Sequence, residues 1–121
     1  MTPSEVIDNN LTRVIISNSP KANKKLQAKI SFNTGRFKTI HFGAKGMEDY
    51  TTYYKKDKEL AKQKRENYIK RHQSREDFSE KGVFTAGFLS RWILWEYPTI
   101  KKSVDELNNR FKKIIFIIKN G

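Results

Sequence analysis

The sequence predicts an α+β fold in which a small antiparallel sheet of two or three strands is covered by helices. Two changes of pattern carry this prediction. Over residues 11–42 apolar and polar side chains alternate, which is the period of a strand, and after Gly46 apolar residues recur every three or four positions, as on a helix. The length of 121 residues suits one domain with a modest core. We expect a mobile N-terminus (1–10), a single basic domain (11–114) and an apolar tail (115–121).

Three segments have the composition of strands: RVIIS (13–17), KLQAKISF (25–32) and RFKTIHF (36–42). The tripeptide NTG (33–35) tolerates positive φ, so the last two segments should form a hairpin. Its core face would carry Leu26, Ala28, Ile30, Phe32, Ile40 and Phe42. Its other face would carry Lys25, Gln27, Lys29, Phe37, Thr39 and His41, and it could either meet a phosphate backbone or be a solvated sheet face.

Three helices should follow. The first is long and basic, about residues 53–73, and the second is compact, about 86–95. Its rings, Phe84, Phe88, Trp92 and Trp95, recur at helical spacing and are expected to anchor the core rather than to stack on bases. The third helix covers about 100–114. The closing run IIFIIKNG fits a helix tail, a strand or an exposed contact with a second copy, so its conformation stays open.

The segment KTIHFGAKGMEDYT (38–51) is either a reactive loop or the corner where the sheet turns into the first helix. It lacks the glycine spacing of a phosphate-binding P-loop. Gly43 and Gly46 can supply permissive backbone, and Asp49 can complement a helix start. We therefore expect a structural corner.

Charge is the strongest compositional feature. Lys and Arg number 25 against 13 acids, which gives a net charge of +12, and no acid occurs from Leu11 to Met47. A surface of this sign favours polyanionic partners. The predicted phosphate contacts are Arg13, Lys24, Lys25, Lys29, Arg36, Lys38, Lys45, Lys55, Lys56, Lys58, Lys62, Lys64, Arg65, Lys70 and Arg71.

The sequence gives little sign of catalysis, a cofactor or a metal. It has no cysteine, and its candidate acid–base pairs, His41 with Asp49 and His72 with Glu76, are typical of surface or capping contacts. No apolar run approaches the roughly 20 residues of a membrane span. We therefore expect neither an enzyme nor a membrane protein.

Three motifs occur in a fixed order between Lys25 and Leu107: KTIHFGAKGMEDYTTY, a basic helix ending in YIKRHQSRED, and TAGFLSRWILWEYPTIKKSVDEL. This combination resembles a family of small basic proteins of unassigned function encoded by nucleocytoplasmic large DNA viruses, including the mimivirus-like giant viruses. Met47 and Leu89 depart from it, since aromatic residues are common there. The resemblance implies a place in the virion or in the virus factory of the host cytoplasm, and it brings no catalytic residues.

Charge and resemblance together suggest a DNA-binding protein without sequence preference that neutralises, compacts or packages a viral genome. The partner would be double-stranded DNA, bound through its phosphates. The alternative is a structural virion protein, a minor capsid or matrix component that binds acidic partners. In either case the apolar C-terminal run could mediate a homo-oligomer. A small nuclease is a third and weaker alternative.

Overall fold

The computed structural model describes residues 12–31, 36–79, 85–111 and 114–119. Within them the chain forms an α+β fold, which confirms the predicted class. The elements in chain order are β1 (Thr12–Asn18), β2 (Lys24–Ser31), β3 (Phe37–Ala44), α1 (Tyr50–Lys56), α2 (Lys58–His72), α3 (Ala86–Leu89), a π-helical turn (Ser90–Leu94), α4 (Ile100–Arg110) and β4 (Ile114–Ile118). None of the helices in these ranges is long and apolar enough to cross a membrane.

The sheet has four strands in the order β3-β2-β1-β4, and β4 runs parallel to β1. The three predicted strands are present and antiparallel, but a fourth strand makes the sheet mixed, so the predicted number of strands is too low. The added strand is IIFII, whose conformation the sequence left open, and the last helix ends at Arg110 instead of near residue 114. A continuous apolar run has no period, so its pattern does not separate a buried strand from a helix. Residues 115–118 of the segment expected to be an apolar tail belong to β4.

The side chains of the β2–β3 hairpin lie on the predicted faces of the sheet. Gln27 lies opposite His41 and Ala28 opposite Ile40, so residues of one parity share each face. Leu26, Ala28, Ile30 and Phe42 are buried. The predictions for residues 1–10, Phe32, the 33–35 turn and Phe84 concern positions outside the described residues.

Helices cover one face of the sheet. Phe88 and Trp92 are buried against the strands together with α4, as the aromatic pattern predicts, and Trp95 is partly buried. The indole N–H of Trp92 donates to the carbonyl of Phe78 at 2.8 Å. The Ser103 hydroxyl donates to the carbonyl of Ile93 at 3.0 Å and so joins α4 to the π-helical turn. These contacts fix the helical layer on the core.

The predicted long helix (53–73) is two helices that meet at Asp57. The Asp57 N–H closes α1 on the carbonyl of Tyr53, and its carboxylate accepts from the N–H groups of Glu59 and Leu60 at 3.1 and 3.2 Å. Asp57 is thus the C-cap of α1 and the N-cap of α2. The extended backbone at Asp57 redirects the chain, so the lysines of α2 do not lie on the faces that one continuous helix would give them.

Candidate nucleic-acid interface

The corner of residues 38–51 turns β3 into α1. Gly43 and Gly46 have φ angles of 76° and 88°, in the region that favours glycine. Asp49 then caps α1: its carboxylate accepts from the Thr52 N–H at 3.2 Å, and the Thr52 hydroxyl accepts from the Asp49 N–H at 2.9 Å. This reciprocal pair is a capping box, the helix start that we expected of the corner.

Two of the predicted phosphate contacts are held by this corner. Lys25 donates to the buried carboxylate of Asp49 at 2.6 Å, and Lys56 pairs with Glu48. The Lys25 pair ties β2 to the start of α1 and is mostly shielded from water. Lys25 therefore compensates a buried charge, and its loss would leave Asp49 unpaired.

Arg65 is also turned inward. Arg65 and Arg91 both donate to Oε2 of Glu96, the Arg91 bond at 2.5 Å, and the two Nε atoms are buried without a hydrogen-bond partner. The Arg91 guanidinium lies 4.7 Å from the centre of the Trp92 ring. Arg65 thus joins α2 to the segment after the π-helical turn, and we remove it from the candidate phosphate contacts. The sequence pattern did not single out Arg91 or Glu96, although an arginine inside the apolar run LSRWILW is a signal of a buried ion pair.

The outer face of the sheet carries little free charge. Arg13 and Lys29 are exposed there, and Lys29 Nζ lies 4.3 Å from the centre of the Phe37 ring. The side chains of Phe37, Ile115 and Ile117 are exposed to 59%, 51% and 38%. Because the helices of the described chain pack on the other face, one straight duplex cannot lie along both.

The charges of α2 are divided between two sides. Lys64, Asn67, Lys70 and Arg71 line a groove whose other wall includes Trp95. We call this the basic groove; Met47, Glu48 and Tyr53 complete its lining. Lys62 lies on the other side of the helix, in a shallow depression with Asp57, Glu59 and Glu66. Spacing along the sequence alone did not reveal this division, since the cut at Asp57 sets it.

The groove cations are free. Lys64, Lys70 and Arg71 are exposed and form no ion pair with any residue that the structure describes. Lys24, which is partly buried, and the exposed Arg75, which the sequence analysis did not name, also form no ion pair with a described residue. These two line a cavity that adjoins the groove and shares Arg71 and Trp95 with it.

The remaining predicted contacts are scattered. They lie along β3 and its corner, on α1 and at the start of α2, and they are exposed: Arg36, Lys38, Lys45, Lys55 and Lys58. The structure therefore places Lys64, Lys70 and Arg71 of the predicted set in the basic groove, and Lys24 in the adjoining cavity together with the paired Lys25.

A column of rings supports the groove. His72 stacks on Tyr68 with 4.2 Å between ring centres, and Tyr68 stacks on Trp95 at 4.5 Å and 5°. Tyr53 packs against the far side of the column, 6.4 Å from Trp95. Burial raises the pKa of Tyr68 to about 12, so its phenol is neutral at physiological pH. The groove, which Tyr53 and Trp95 line, thus lies against packed aromatic rings.

The geometry offers no metal-binding cluster: across the described ranges no three His, Asp or Glu side chains converge to hold an ion. Residues 14–72, a little under half of the chain, match the model of a family of unknown function (DUF5754). The matched stretch contains the corner and α2 and ends before Trp95. No curated protein and no solved structure gives a significant match.

Proposed function

We propose that the protein binds duplex DNA through its phosphates without reading the base sequence. The observation that carries this proposal is the division of charge on α2. The free cations of Lys64, Lys70 and Arg71 line one groove, and the two acids of the helix, Glu59 and Glu66, do not line it. A net charge of +12 adds long-range attraction to the same partner.

The dimensions of α2 suit a phosphate backbone. Residues 64–71 span about 10 Å of helix, at 1.5 Å per residue, and a duplex carries roughly six charges over that length. With Lys24 and Arg75, five free cations are available near this surface. Long, exposed lysine side chains make point contacts with phosphates and carry no base preference.

The genome concerned is proposed to be viral, because the three ordered motifs resemble the giant-virus family. Neutralising phosphates lowers the repulsion between duplex segments, which is the physical requirement for compacting or packaging DNA. In this proposal the protein works in the virion or the virus factory and performs no chemical step.

A structural virion role is the second candidate, and the outer sheet face favours it. Ile115 and Ile117 are exposed on β4, and Ile15 lies opposite Ile117 on β1, which gives one edge of this face an apolar surface of the kind that contacts other proteins. Fluorescence anisotropy with two random 30-base-pair duplexes of unrelated sequence separates the candidates. DNA binding predicts roughly micromolar affinity at 50 to 100 mM salt, equal for both duplexes. Without measurable binding under these conditions, the structural role replaces the proposal.

A further inference from the structure

A cavity of about 490 Å³ opens at the C-terminal end of α2, beside the basic groove. Its walls come from the end of the β2–β3 hairpin, the last turn of α2 and the start of α3. Its lining includes the cations of Lys24, Arg71 and Arg75 and the rings of Tyr68, His72 and Trp95. Its volume falls in the usual range for sites that hold small organic molecules.

The charge balance of this cavity is positive. Two of its three carboxylates pair with lysines, Asp49 with Lys25 and Glu48 with Lys56, and the third, Glu76, lies 3.9 Å from Nδ1 of His72. No carboxylate of the described residues pairs with Lys24, Arg71 or Arg75. The Arg75 guanidinium also donates to the main-chain carbonyl of Arg71 at 3.3 Å, which places it beside the last turn of α2. Among the described residues, an anion here would meet three cations without a carboxylate partner and one carboxylate, Glu76, that no lysine or arginine pairs.

The end of the ring column suits a flat aromatic group. Both faces of Tyr68 are covered, by His72 at 4.2 Å and by Trp95 at 4.5 Å, whereas His72 ends the column with 30% of its side chain exposed. Phe42 and Leu94, both buried, complete the apolar lining. Stacking of a nucleobase on aromatic side chains contributes about 1 to 3 kcal/mol per base and tolerates any base.

We propose that this cavity binds one unpaired nucleotide, with its base stacked on the exposed face of His72 and its phosphate on Lys24, Arg71 and Arg75. A paired base cannot enter, because its faces are covered by its neighbours in the duplex. The nucleotide would come from single-stranded DNA or from a frayed end. The inference rests on the proposed function only in taking DNA as the source, since a free nucleotide tests the cavity by itself.

The test uses tryptophan fluorescence. In a Trp92→Phe protein the remaining tryptophan, Trp95, lines the cavity and reports on it. Titration with 2′-deoxyadenosine 5′-monophosphate should quench it saturably, at least tenfold more tightly than 2′-deoxyadenosine or inorganic phosphate. Arg75→Gln should weaken this binding about tenfold. Lys62→Gln, the same charge change on the other side of α2, should leave it unchanged.

Other results would overturn the inference in distinguishable ways. If inorganic phosphate binds as tightly as the mononucleotide, the base takes no part in binding. If Lys62→Gln weakens binding as much as Arg75→Gln does, the nucleotide does not bind in the cavity. If neither the mononucleotide nor oligothymidylate binds while duplex DNA does, the cavity proposal fails and the proposed function stands. If duplex DNA also fails to bind, the proposed function fails too.

Discussion

A methyl group added at Gly43 should destabilise the protein more than one added at Gly46. At Gly43 a Cβ would lie 2.7 Å from Cδ1 of Leu94, whose side chain is buried in the core, whereas at Gly46 it would meet no atom within 4 Å. Both residues have positive φ, which costs about 1 to 2 kcal/mol for a non-glycine residue. Overpacking against Leu94 adds about 1 to 3 kcal/mol. Gly43→Ala should therefore lose about 2 to 5 kcal/mol and Gly46→Ala about 1 to 2.

Urea unfolding followed by tryptophan fluorescence measures both variants. The most informative experiment is a double-mutant cycle of Gly43→Ala with Leu94→Ala. Shortening Leu94 removes the clash with the new methyl group but not the backbone strain at position 43. In that background Gly43→Ala should cost about as much as Gly46→Ala does in the wild type. Equal losses for the two single variants, or the absence of coupling to Leu94, would refute the proposed close contact at the corner.

Four further predictions concern the core, the sheet edge and pH. Trp92→Ala should cost about 3 to 5 kcal/mol in the same urea assay, because the ring is buried. Deleting residues 114–121 should unfold the domain by circular dichroism, since Ile114 and Phe116 are each only 2% exposed; a native spectrum would contradict the strand assignment. The Asn108 side chain bonds both main-chain groups of Phe116 on the open edge of β4, at 2.7 and 2.9 Å. Asn108→Ala should therefore increase self-association in light scattering, and its exposed neighbour variant Asn109→Ala should not. Burial raises the pKa of Tyr68 from 10 to about 12, so its phenol ionises at lower pH in the unfolded chain than in the folded one. The free energy of unfolding of the wild type should therefore fall between about pH 10 and 12, and that of Tyr68→Phe should fall less.

The hairpin, the corner and the buried aromatic helix could be predicted from local pattern. Alternation fixes the faces of β2 and β3, and glycine followed by a capping aspartate marks the corner. The strand β4 could not be predicted, because IIFII has no period and its partner β1 lies about a hundred residues away. The break at Asp57 was missed because the helical pattern continues on both sides of it.

The candidate site was predicted less completely than the fold. Net charge identifies cations but not their partners, and the ion pairs of Lys25 and Arg65 join residues 24 and 31 positions apart. Such pairing depends on tertiary packing, which local spacing does not encode. Arg75 was missed because it follows the predicted helix, where the pattern ends.

The salt dependence of DNA binding tests the central claim most directly. A groove variant replaces three free cations by glutamine: Lys64, Lys70 and Arg71. A control variant makes the same charge change at exposed lysines outside the groove: Lys62, Lys102 and Lys119. Circular dichroism should show both to be folded, because none of these side chains is buried.

For each protein the logarithm of the binding constant is plotted against the logarithm of salt concentration. Each phosphate contact contributes a slope of about −0.9, so five contacts give the wild type about −4.5. The groove variant should lose nearly three of these terms and fall to about −1.8, while the control keeps the wild-type slope. An unchanged slope in the groove variant, or an equal loss in the control, would contradict the assignment of the basic groove as the DNA-binding surface.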